Sequence, residues 1–449
     1  MLPRLQVTWT EDRAERQLRS LELFGMRFGL DRMRRMMTVL GSPERRFDTI
    51  HVLGTNGKSS TTRMTAAILA RHGLRVGAYL SPHLVSYRER VLIDGRQLDA
   101  EPFAAAIARA SWAAERVNRT LAEDDHVTQF ELLTAAALWE MARRGLDVAV
   151  VEAGLGGRYD ATSVIDARVT VLTNVGLEHT RWLGPTVTDI AEEKLAVVRP
   201  RTALVLGEGL VAPALAVAER VAGERAAWIV RPRPLAAAST LRARGAFQRR
   251  NFALARASAE AYLEAAGIPL DEDAVAEAAA STDVPGRLQV VAREPLTVLD
   301  GAHNPDAVRA LVQSLPELVG DAPLGLVLGV LEDKDAAAML AALMPRVERA
   351  WFTAPPSSRA LSPAALQSLA RQLGFEATFC ETSPSQALAR AQSWARAQRE
   401  IPDGEGQAGG RAAAVLATGS VYLVGDLLSA LRPREETRAD GGQRRSVTG

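Results

Sequence analysis

The chain has 449 residues, of which 47% are hydrophobic and 24% are charged, and its 54 basic side chains nearly balance its 53 acidic ones. This length exceeds what one hydrophobic core usually organises, so we expect two or three domains. Both signs of charge are spread along the chain, which argues against nucleic-acid binding because that function needs clustered basic residues.

Two further features exclude other classes of protein. The only cysteine, Cys380, excludes an internal disulfide and a multi-cysteine metal site, and it suits a reducing cytoplasm. No apolar run is long enough to cross a bilayer, and the N-terminal segment lacks the apolar core of a signal peptide. The sequence therefore predicts a cytoplasmic protein that does not bind membranes.

The first half of the chain predicts strands that alternate with helices. Residues 47–79 indicate a strand, a glycine-rich loop, a helix and a second strand. A polar connection is expected next, followed by a helix over 128–144, a strand that ends at Glu152 and a strand from about Arg168 to Val175. Further predicted elements are a strand at 203–209, an alanine-rich stretch at 211–238 and helices at 251–267 and 271–281.

A proline and a glycine interrupt the pattern at residues 281–286, which is the best candidate for a domain boundary. Strand–helix pairs then restart and predict a second, doubly wound α/β unit. A flexible loop is expected at 402–411 and a disordered tail at 433–449, because both segments contain few apolar residues.

Lysine and asparagine are unusually rare. Only three of the 54 basic residues are lysines, namely Lys58, Lys194 and Lys334. A lysine that persists in such an arginine-rich chain is a candidate for a position that needs a compact ammonium group or an amine that can lose its proton. Chance survival is the alternative for any one of them. The motifs below contain two of these lysines and four of the five asparagines.

The sharpest local motif is GTNGKSST at residues 54–61, between an apolar strand and an amphipathic helix. Gly54 and Gly57 let backbone N–H groups approach phosphate oxygens, and the N-terminus of the following helix favours anions. Lys58 would neutralise the β- and γ-phosphates, and one of the two serines after it could offer a hydroxyl to Mg²⁺. We predict nucleotide binding, with an ordinary glycine-rich turn as the alternative.

Two strand ends in this half offer metal ligands. Glu152 ends an apolar strand and is followed by a glycine-rich turn that contains Arg158 and Asp160, while His179 lies just past another buried strand. Magnesium takes oxygen ligands at a strand end beside the phosphates, so Glu152 fits a metal role, and His179 becomes a second ligand if the two strands are neighbours. Ordinary solvated turns are the alternative.

Other candidate residues lie further along the chain. Lys194 would normally be read as a helix-face lysine that pairs with nearby acids, but its survival among arginines argues for more. Asp300, His303 and Asn304 stand at the end of a strand before a helix, where α/β sheets bind ligands. Arg287, at the domain junction, could act as a phosphate clamp.

The assembled pattern resembles one family. In chain order, the motifs are GTNGKSS, YLSPHL, TQFE, EAGLGGRYDAT, LEHTRWLG, EEK, PGR and DGAHNP. Together they are similar to the folylpolyglutamate synthase/dihydrofolate synthase family of the Mur ligase superfamily, over about residues 20–425. The SPHL and GLGGRYDAT segments favour this folate branch over the peptidoglycan ligases.

The resemblance implies a fold and an organisation. The fold class is α/β, with a P-loop-type ATPase domain built on a mostly parallel sheet and a smaller Rossmann-like C-terminal domain. The first domain, which binds ATP and folate, is expected to span residues 1–285, and the C-terminal glutamate-ligase domain residues 286–432. The active site is expected in the cleft between them.

The resemblance also implies ATP-dependent amide formation. ATP phosphorylates a folate or pteroate carboxylate, the amine of L-glutamate attacks the acyl phosphate, and ADP and phosphate leave. The implied partners are ATP as co-substrate, L-glutamate, a reduced folate or dihydropteroate, and Mg²⁺, with two ions expected. A monomer is expected, with no nucleic-acid or membrane partner.

Site residues follow from the same resemblance. Lys58, Lys194 and His303 would be catalytic, and Lys194 would be the lysine that the family carbamylates. The implied ATP contacts are Gly54, Thr55, Asn56, Gly57, Lys58, Ser59, Ser60, Asn251, Arg287 and Asp300. The implied metal ligands are Glu152, His179, Ser60 and Ser81. The implied folate or pteroate contacts are Phe28, Gly29, Leu30, Asp31, Thr128, Gln129, Phe130, Glu131, Arg158, Tyr159 and Asp160.

Four positions depart from the family's usual motifs. Ser59 stands where a glycine is usual, and Glu178 stands where an aspartate is usual. Leu80 takes the place of a metal-binding serine or threonine, which Ser81 or a water molecule would then replace. The segment around Lys194 reads EKLAV in place of EKAGI.

Two other functions stay open on the sequence alone. One is a peptidoglycan-type Mur ligase, although such chains usually carry an N-terminal nucleotide-sugar domain and only about 50 residues precede the phosphate loop here. The other is a nucleotide-dependent switch that ligates nothing. The dependence of ADP release on glutamate and on folate separates the three.

Overall fold

The computed structural model describes residues 8–21, 29–236, 239–399 and 412–432, which form two sheets flanked by helices. The predicted loop at 402–411, the predicted tail at 433–449 and Phe28 lie outside the described residues. Among the described helices, none is both long and apolar enough to cross a membrane.

The first sheet has eight strands in the order β4-β3-β2-β5-β1-β6-β7-β8. These strands are β1 (Asp48–Leu53), β2 (Val76–Tyr79), β3 (Val91–Ile93), β4 (Arg96–Gln97), β5 (Val148–Glu152), β6 (Val169–Leu172), β7 (Ala203–Leu206) and β8 (Trp228–Val230). The associated helices are α1 (Glu11–Ser20), α2 (Asp31–Leu40), α3 (Lys58–Arg71), α4 (Ala100–Asn118), α5 (Gln129–Arg144), α6 (Thr180–Leu183), α7 (Val187–Leu195), α8 (Ala212–Arg225), α9 (Ala246–Ala265) and α10 (Glu272–Ser281). All pairings are parallel except those of β3 with β2 and with β4.

The central strands are mostly apolar and almost entirely buried because both faces of the sheet are covered. Ile50 and Val52 of β1 pack in one cluster with α3 and α9, whereas Ala149 and Val151 of β5 pack with α4 and α5 on the other face. Strand β1 pairs with β5 on one side and with β6 on the other. The three loops that follow these parallel strands therefore emerge side by side at one edge of the sheet.

The second sheet has six strands in the order β13-β12-β11-β14-β10-β9, with only β9 antiparallel to its neighbour. Its strands are β9 (Gln289–Arg293), β10 (Leu296–Leu299), β11 (Leu324–Leu328), β12 (Arg349–Phe352), β13 (Thr378–Cys380) and β14 (Ala414–Thr418). Its helices are α11 (Pro305–Ser314), α12 (Pro316–Val319), α13 (Ala336–Leu343), α14 (Pro363–Gln372), α15 (Pro384–Arg399) and α16 (Val421–Leu431). The two mostly parallel sheets confirm the predicted fold class. The boundary predicted at 281–286 falls between α10 and β9 and stays a prediction.

The structure corrects the predicted polar connection before residue 128. That segment contains the β3–β4 hairpin and the 19-residue helix α4. Helix α4 is rich in alanine, the residue with the highest helix propensity, so the sequence contained a helix signal that the prediction overlooked. The helix predicted from residue 251 begins earlier, at Ala246, and the strand predicted to reach Val175 ends at Leu172.

One close backbone contact joins the two halves of the structure. The carbonyl oxygen of Leu84, in the loop after β2, lies so near Gly425 of α16 that a Cβ atom on the glycine would overlap it. The Leu84 side chain also packs against the apolar cluster under α16. The loop at residues 81–85 therefore touches the second sheet's layer directly.

Candidate active site

A cavity of about 600 Å³ lies between the two sheets. The first sheet's layer contributes residues 55–60, Glu152 and the pair Glu178–His179, all from loops at the edge where β1, β5 and β6 end. The second sheet's layer contributes residues 300–303, which follow β10, and three residues of α11. The predicted phosphate loop and the predicted C-terminal residues thus face one space.

The phosphate loop is built to hold an anion. Helix α3 begins at Lys58, so the free N–H groups of its first turn open toward the cavity. Gly57 has φ +83°, and a Cβ atom there would press on the amide of Asn251 from α9. The ammonium of Lys58 donates to the carbonyl oxygens of Gly54 at 3.1 Å and Thr55 at 3.0 Å. A compact cation therefore sits at the loop that a phosphate would enter.

Glu152 presents a buried carboxylate beside this loop. Its Oε1 accepts from the Ser59 hydroxyl at 2.9 Å, and its Oε2 accepts from the Ser81 backbone N–H at 3.0 Å. Burial raises the pKa of Glu152, although the charge of Lys58 and these hydrogen bonds oppose the shift. A cation near Glu152 would offset the cost of keeping this carboxylate ionised.

The donor set suits a hard divalent cation such as Mg²⁺. Glu152 and the hydroxyls of Ser60 and Ser81 offer oxygen at the cavity wall, whereas Leu80 is buried in the apolar core and offers none. No group of three or more His, Cys, Asp or Glu side chains in the described ranges could hold a metal ion. An ion here would take its other ligands from hydroxyls, water and phosphate, which is usual for Mg²⁺.

Glu178 connects the two halves of the cavity. Its Oε1 accepts from Lys334 Nζ at 2.9 Å and lies 3.5 Å from His303 Nε2 and 3.9 Å from His179 Nε2. Burial alone would raise the pKa of Glu178, but His303 and Lys334 outweigh burial and hold it well below its usual range. Burial, with the charges of nearby lysines, lowers the pKa of His179 to about 4 despite Glu178, so its imidazole is neutral at physiological pH.

Substitution of Lys334 by methionine should lower the free energy of unfolding by about 2 kcal/mol, because Glu178 would stay buried without its 2.9 Å partner. In a Glu178→Gln background the same substitution should cost at least about 1 kcal/mol less. Urea unfolding followed by tryptophan fluorescence measures both costs. Arg359→Met, which removes an exposed pair with Asp333, is the matched control and should change stability by less than about 0.5 kcal/mol. Fully additive costs would mean that the Glu178–Lys334 contact contributes nothing.

All three lysines of the chain meet at this site. Lys194 is buried on α7, and its Nζ donates to the carbonyl oxygen of Gly54 at 2.9 Å, the same oxygen that Lys58 contacts. Burial and then the charge of Lys58 lower the pKa of Lys194 to about 7, so a large fraction of this amine is uncharged at neutral pH. Lys334 lies outside every motif of the sequence analysis, although the scarcity of lysine in the chain could have marked it as a candidate.

Asparagine amides also join the two halves. The side chains of Asn56 and Asn304 exchange two hydrogen bonds, at 2.9 and 3.2 Å, across the cavity. Asn304 also caps α11 by accepting from the Ala307 N–H. The amide oxygen of Asn174 accepts from the N–H groups of Thr55 and Asn56. The sequence analysis assigns no chemical role to Asn174. The phosphate loop is thus held by amides from two other loops.

Asp300 and Arg287 lie together on the second wall. The buried Asp300 carboxylate accepts from the backbone N–H groups of Leu288 at 2.9 Å and Ala302 at 2.8 Å. Burial raises the pKa of Asp300, and Arg287 opposes that shift. Both side chains line the cavity, as do Phe247, Arg250 and Asp306, which no motif had marked.

The predicted folate contacts lie elsewhere, since none of those that the structure describes lines this cavity. Thr128 and Glu131 form the cap of α5, and Glu131 also accepts from Arg32 at 3.1 Å. The Asp160 carboxylate is buried and accepts from Leu155 N–H and from Thr162. These polar groups are satisfied within the protein, so they organise loops and helix ends, and their contact with folate stays a prediction.

The remaining predicted folate residues are distributed around the same region. Gln129 donates to the Leu18 carbonyl oxygen, and the Phe130 ring packs against Gly154, which does line the cavity. Arg158 pairs with Glu193 at 3.1 Å, and Tyr159 is 47% exposed. Gly29, Leu30 and Asp31 lead into α2.

Two family models match the chain. Residues 52–203 match the Mur ligase middle domain, and residues 286–402 match the glutamate ligase domain of Mur ligases. The folylpolyglutamate synthase of Lacticaseibacillus casei is 34% identical over 365 residues, which cover 75% of this chain and 84% of that protein. The dihydrofolate synthase/folylpolyglutamate synthase of Mycobacterium tuberculosis is 35% identical over 436 residues, covering 88% of each.

A longer relative is a probable bifunctional folylpolyglutamate synthase/dihydropteroate synthase of Haloferax volcanii, 35% identical over 433 residues. These cover 90% of this chain but only 49% of that protein, so the chain spans about half its length.

Solved structures of members of the same family are similar to this chain. Mycobacterium tuberculosis folylpolyglutamate synthase complexed with ADP superposes with a TM-score of 0.86 at 32% identity, covering 94% of this chain and 99% of that one. Escherichia coli FolC in complex with DHPP and ADP gives 0.79 at 29% identity, with 93% and 97% covered. The Yersinia pestis bifunctional synthase with Mn, AMPPNP and L-glutamate bound gives 0.78 at 28%, with 96% and 100% covered. The predicted resemblance is thereby confirmed, and the chain belongs to the folylpolyglutamate synthase/dihydrofolate synthase family of Mur ligases.

Proposed function

We propose that this protein is an ATP-dependent ligase that joins L-glutamate to a carboxylate of a reduced folate or of dihydropteroate through an acyl phosphate. The observation that carries this proposal is that Lys58 and Glu152 line one cavity between the two layers at the phosphate loop, with Lys194 in contact with the loop at Gly54 and Lys334 in contact with the cavity residue Glu178. Phosphoryl transfer needs concentrated positive charge, and an acyl phosphate needs a cleft that excludes water. The relatives that bind ADP, DHPP, L-glutamate or a metal support the substrates.

The phosphate loop and its neighbours would bind ATP. Backbone N–H groups of residues 54–60 would receive the phosphates, and Lys58 would exchange its two carbonyl contacts for phosphate oxygens. Arg287, Asp300 and Asn251 would provide contacts from the other walls. Closure of the two layers through the Asn56–Asn304 amide pair would hold the loop in place.

Mg²⁺ would be held by Glu152, His179, Ser60 and Ser81. The structure of the Yersinia pestis relative has Mn bound. Bound there, the ion supplies positive charge to the transferring phosphoryl group. The neutral imidazole of His179 leaves its nitrogen free to act as a ligand, and the ionised Glu178 adds negative charge next to it.

The second layer would receive glutamate. Lys334 brings positive charge and His303 brings an imidazole to the same wall, where they would contact the carboxylates of glutamate and the developing phosphate. The folate acceptor would approach from the side of Gly154, next to Phe130 and the loop that Asp160 organises. Residues 1–285 would then form the ATP- and folate-binding domain, and 286–432 the glutamate-ligase domain. The single cysteine fits a cytoplasmic site of action.

ADP release should require both glutamate and a folate or pteroate acceptor. An acyl phosphate formed without its nucleophile would be lost to hydrolysis, and a cleft that closes on all substrates prevents that. A coupled ADP assay with L-glutamate plus dihydropteroate or tetrahydrofolate, and with each component omitted, measures the requirement. D-glutamate is the control nucleophile. Vigorous ADP release without any folate would favour a nucleotide switch, and release only with a UDP-sugar peptide would favour the peptidoglycan branch.

A further inference from the structure

A second cavity, of about 560 Å³, lies on the far side of two segments that also wall the active site. The loop after β2 presents Ser81 and Pro82 to the active-site cavity and Leu84 and Val85 to this second one. The junction segment presents Arg287 to the first cavity and its neighbours at 285 and 289 to the second. We name this second space the rear cleft.

The rear cleft is lined by aliphatic side chains and by three charged ones, which are the half-buried Arg63, the exposed Arg432 and Glu89. Strand β3, strand β9 and helix α16 supply aliphatic side chains, including Leu92, Val291 and Leu428. Arg63, on α3 one turn beyond the phosphate loop, also lines the cleft and is half-buried. A guanidinium carries five N–H donors and cannot shed its charge, so burying it is costly unless an anion accepts from it.

Arg63 has no such acceptor within the described part of the chain, where it makes neither a hydrogen bond nor an ion pair. Burial lowers the pKa of Arg63, while the charges of three carboxylates, Glu89, Glu152 and Asp283, oppose that shift. Each of these carboxylates already serves other donors. Glu89 accepts from three backbone N–H groups at residues 84–86, Glu152 accepts from Ser59 and Ser81, and Asp283 pairs with Arg242.

We propose that the rear cleft is a binding site for a small molecule that carries a carboxylate on an apolar body, with the carboxylate paired to Arg63. A volume of about 560 Å³ is within the usual range of small-molecule sites. The aliphatic walls take the body of the ligand, and the fork of Arg63 matches a carboxylate in two parallel hydrogen bonds. Such a ligand touches the two segments that present Ser81 and Arg287 to the active site. This inference does not depend on which acid or amine the active site joins.

The test is calorimetric titration of the full-length protein, without ATP or folate, with two probes that separate an aromatic from an alkyl body. The probes are 2-naphthoate and octanoate, and 2-naphthamide and octanamide are their uncharged controls. We expect at least one carboxylate to bind one-to-one with a dissociation constant of about 100 µM and its amide to bind at least about tenfold more weakly.

Variants of Arg63 locate the site. Arg63→Met should weaken binding of the carboxylate at least about tenfold, whereas Arg63→Lys, which keeps the charge but loses the bidentate fork, should weaken it by a smaller factor than Arg63→Met. Arg71→Met, on the same helix but outside the cleft, is the matched control and should bind like the wild type. Binding of neither carboxylate, equal binding of acid and amide, or unchanged binding in Arg63→Met would overturn the proposal. If Arg63→Met does not fold, the lysine variant and the amides still decide it.

Discussion

Substitution of Lys58 by alanine is expected to lower the rate of ADP formation by about a thousandfold while the protein stays folded. Lys58 is the first residue of α3, and within the part of the chain that the structure describes its ammonium donates hydrogen bonds to the carbonyl oxygens of Gly54 and Thr55 in its own loop. Its charge therefore serves a ligand of the loop and contributes little to packing. A steady-state ADP assay and a thermal unfolding curve measure the two effects.

Arg71→Ala is the matched control for Lys58, because it removes a cation from the other end of α3, where the guanidinium caps the Ala67 carbonyl. It should retain nearly full activity. Lys58→Arg should stay strongly impaired, since the larger, planar guanidinium cannot fold over the loop as a compact ammonium does. Near-normal turnover of Lys58→Ala would show that the 54–61 loop does not bind the transferring phosphate.

Both Lys194→Arg and Lys194→Ala are expected to lose activity by a factor of about 100 or more. Lys194 is buried next to Lys58, and its pKa is lowered to about 7, so its amine can be uncharged at neutral pH. An uncharged amine can react with CO₂ to form a carbamate, which turns a cation into an oxygen ligand suited to hard metals. Arginine cannot do this.

The control for Lys194 is Glu192→Gln, on the same helix, which removes an exposed pair with Arg220 and should leave turnover unchanged. Lys194→Ala, but not Lys194→Arg, should regain some activity with added short carboxylates that fill the vacated space. An active Lys194→Arg enzyme would mean that position 194 needs only positive charge.

Native mass spectrometry should detect one added CO₂ on the wild-type protein. The sign of the pH dependence follows from the lowered pKa, because the amine of the folded protein is uncharged above about 7 and protonated below. The adduct should therefore increase as the pH rises through about 7. In the unfolded chain the amine returns toward its ordinary pKa of 10.5, so the adduct should disappear on unfolding. An adduct that persists in Lys194→Ala would assign it to another amine.

Local patterns predicted the part of the fold that carries the phosphate loop. The apolar run of β1, the glycines after it and the periodicity of α3 act within about 25 residues, so the sequence alone identifies them. Helix α4 is missing from the prediction although its alanine content is itself a helix signal. Its position is decided by packing against α2 and α5, which a local pattern does not contain.

Site residues could be predicted where a motif lies at the end of a strand. They could not be predicted where side chains that are far apart in the sequence come into contact. Glu152 ends a strand and His303 lies just after one, so both could be marked, but the contact of Glu178 with Lys334 joins residues 156 positions apart. Glu131 and Asp160 show the converse. A motif marked them, and in the structure the Glu131 carboxylate accepts from the Thr128 N–H in a helix cap and the Asp160 carboxylate accepts from loop N–H groups.

Transfer of heavy oxygen from the acceptor to phosphate tests the proposed ligation most directly. The acceptor, dihydropteroate or tetrahydrofolate, is prepared with both oxygens of its reacting carboxylate labelled and is incubated with ATP, Mg²⁺ and L-glutamate. If an acyl phosphate forms, one labelled oxygen leaves with each phosphate and the other stays in the new amide, so mass spectrometry should find one heavy oxygen in each phosphate released. Unlabelled phosphate alongside amide product would contradict activation of the acceptor carboxylate by ATP, and phosphate without amide product would contradict ligation.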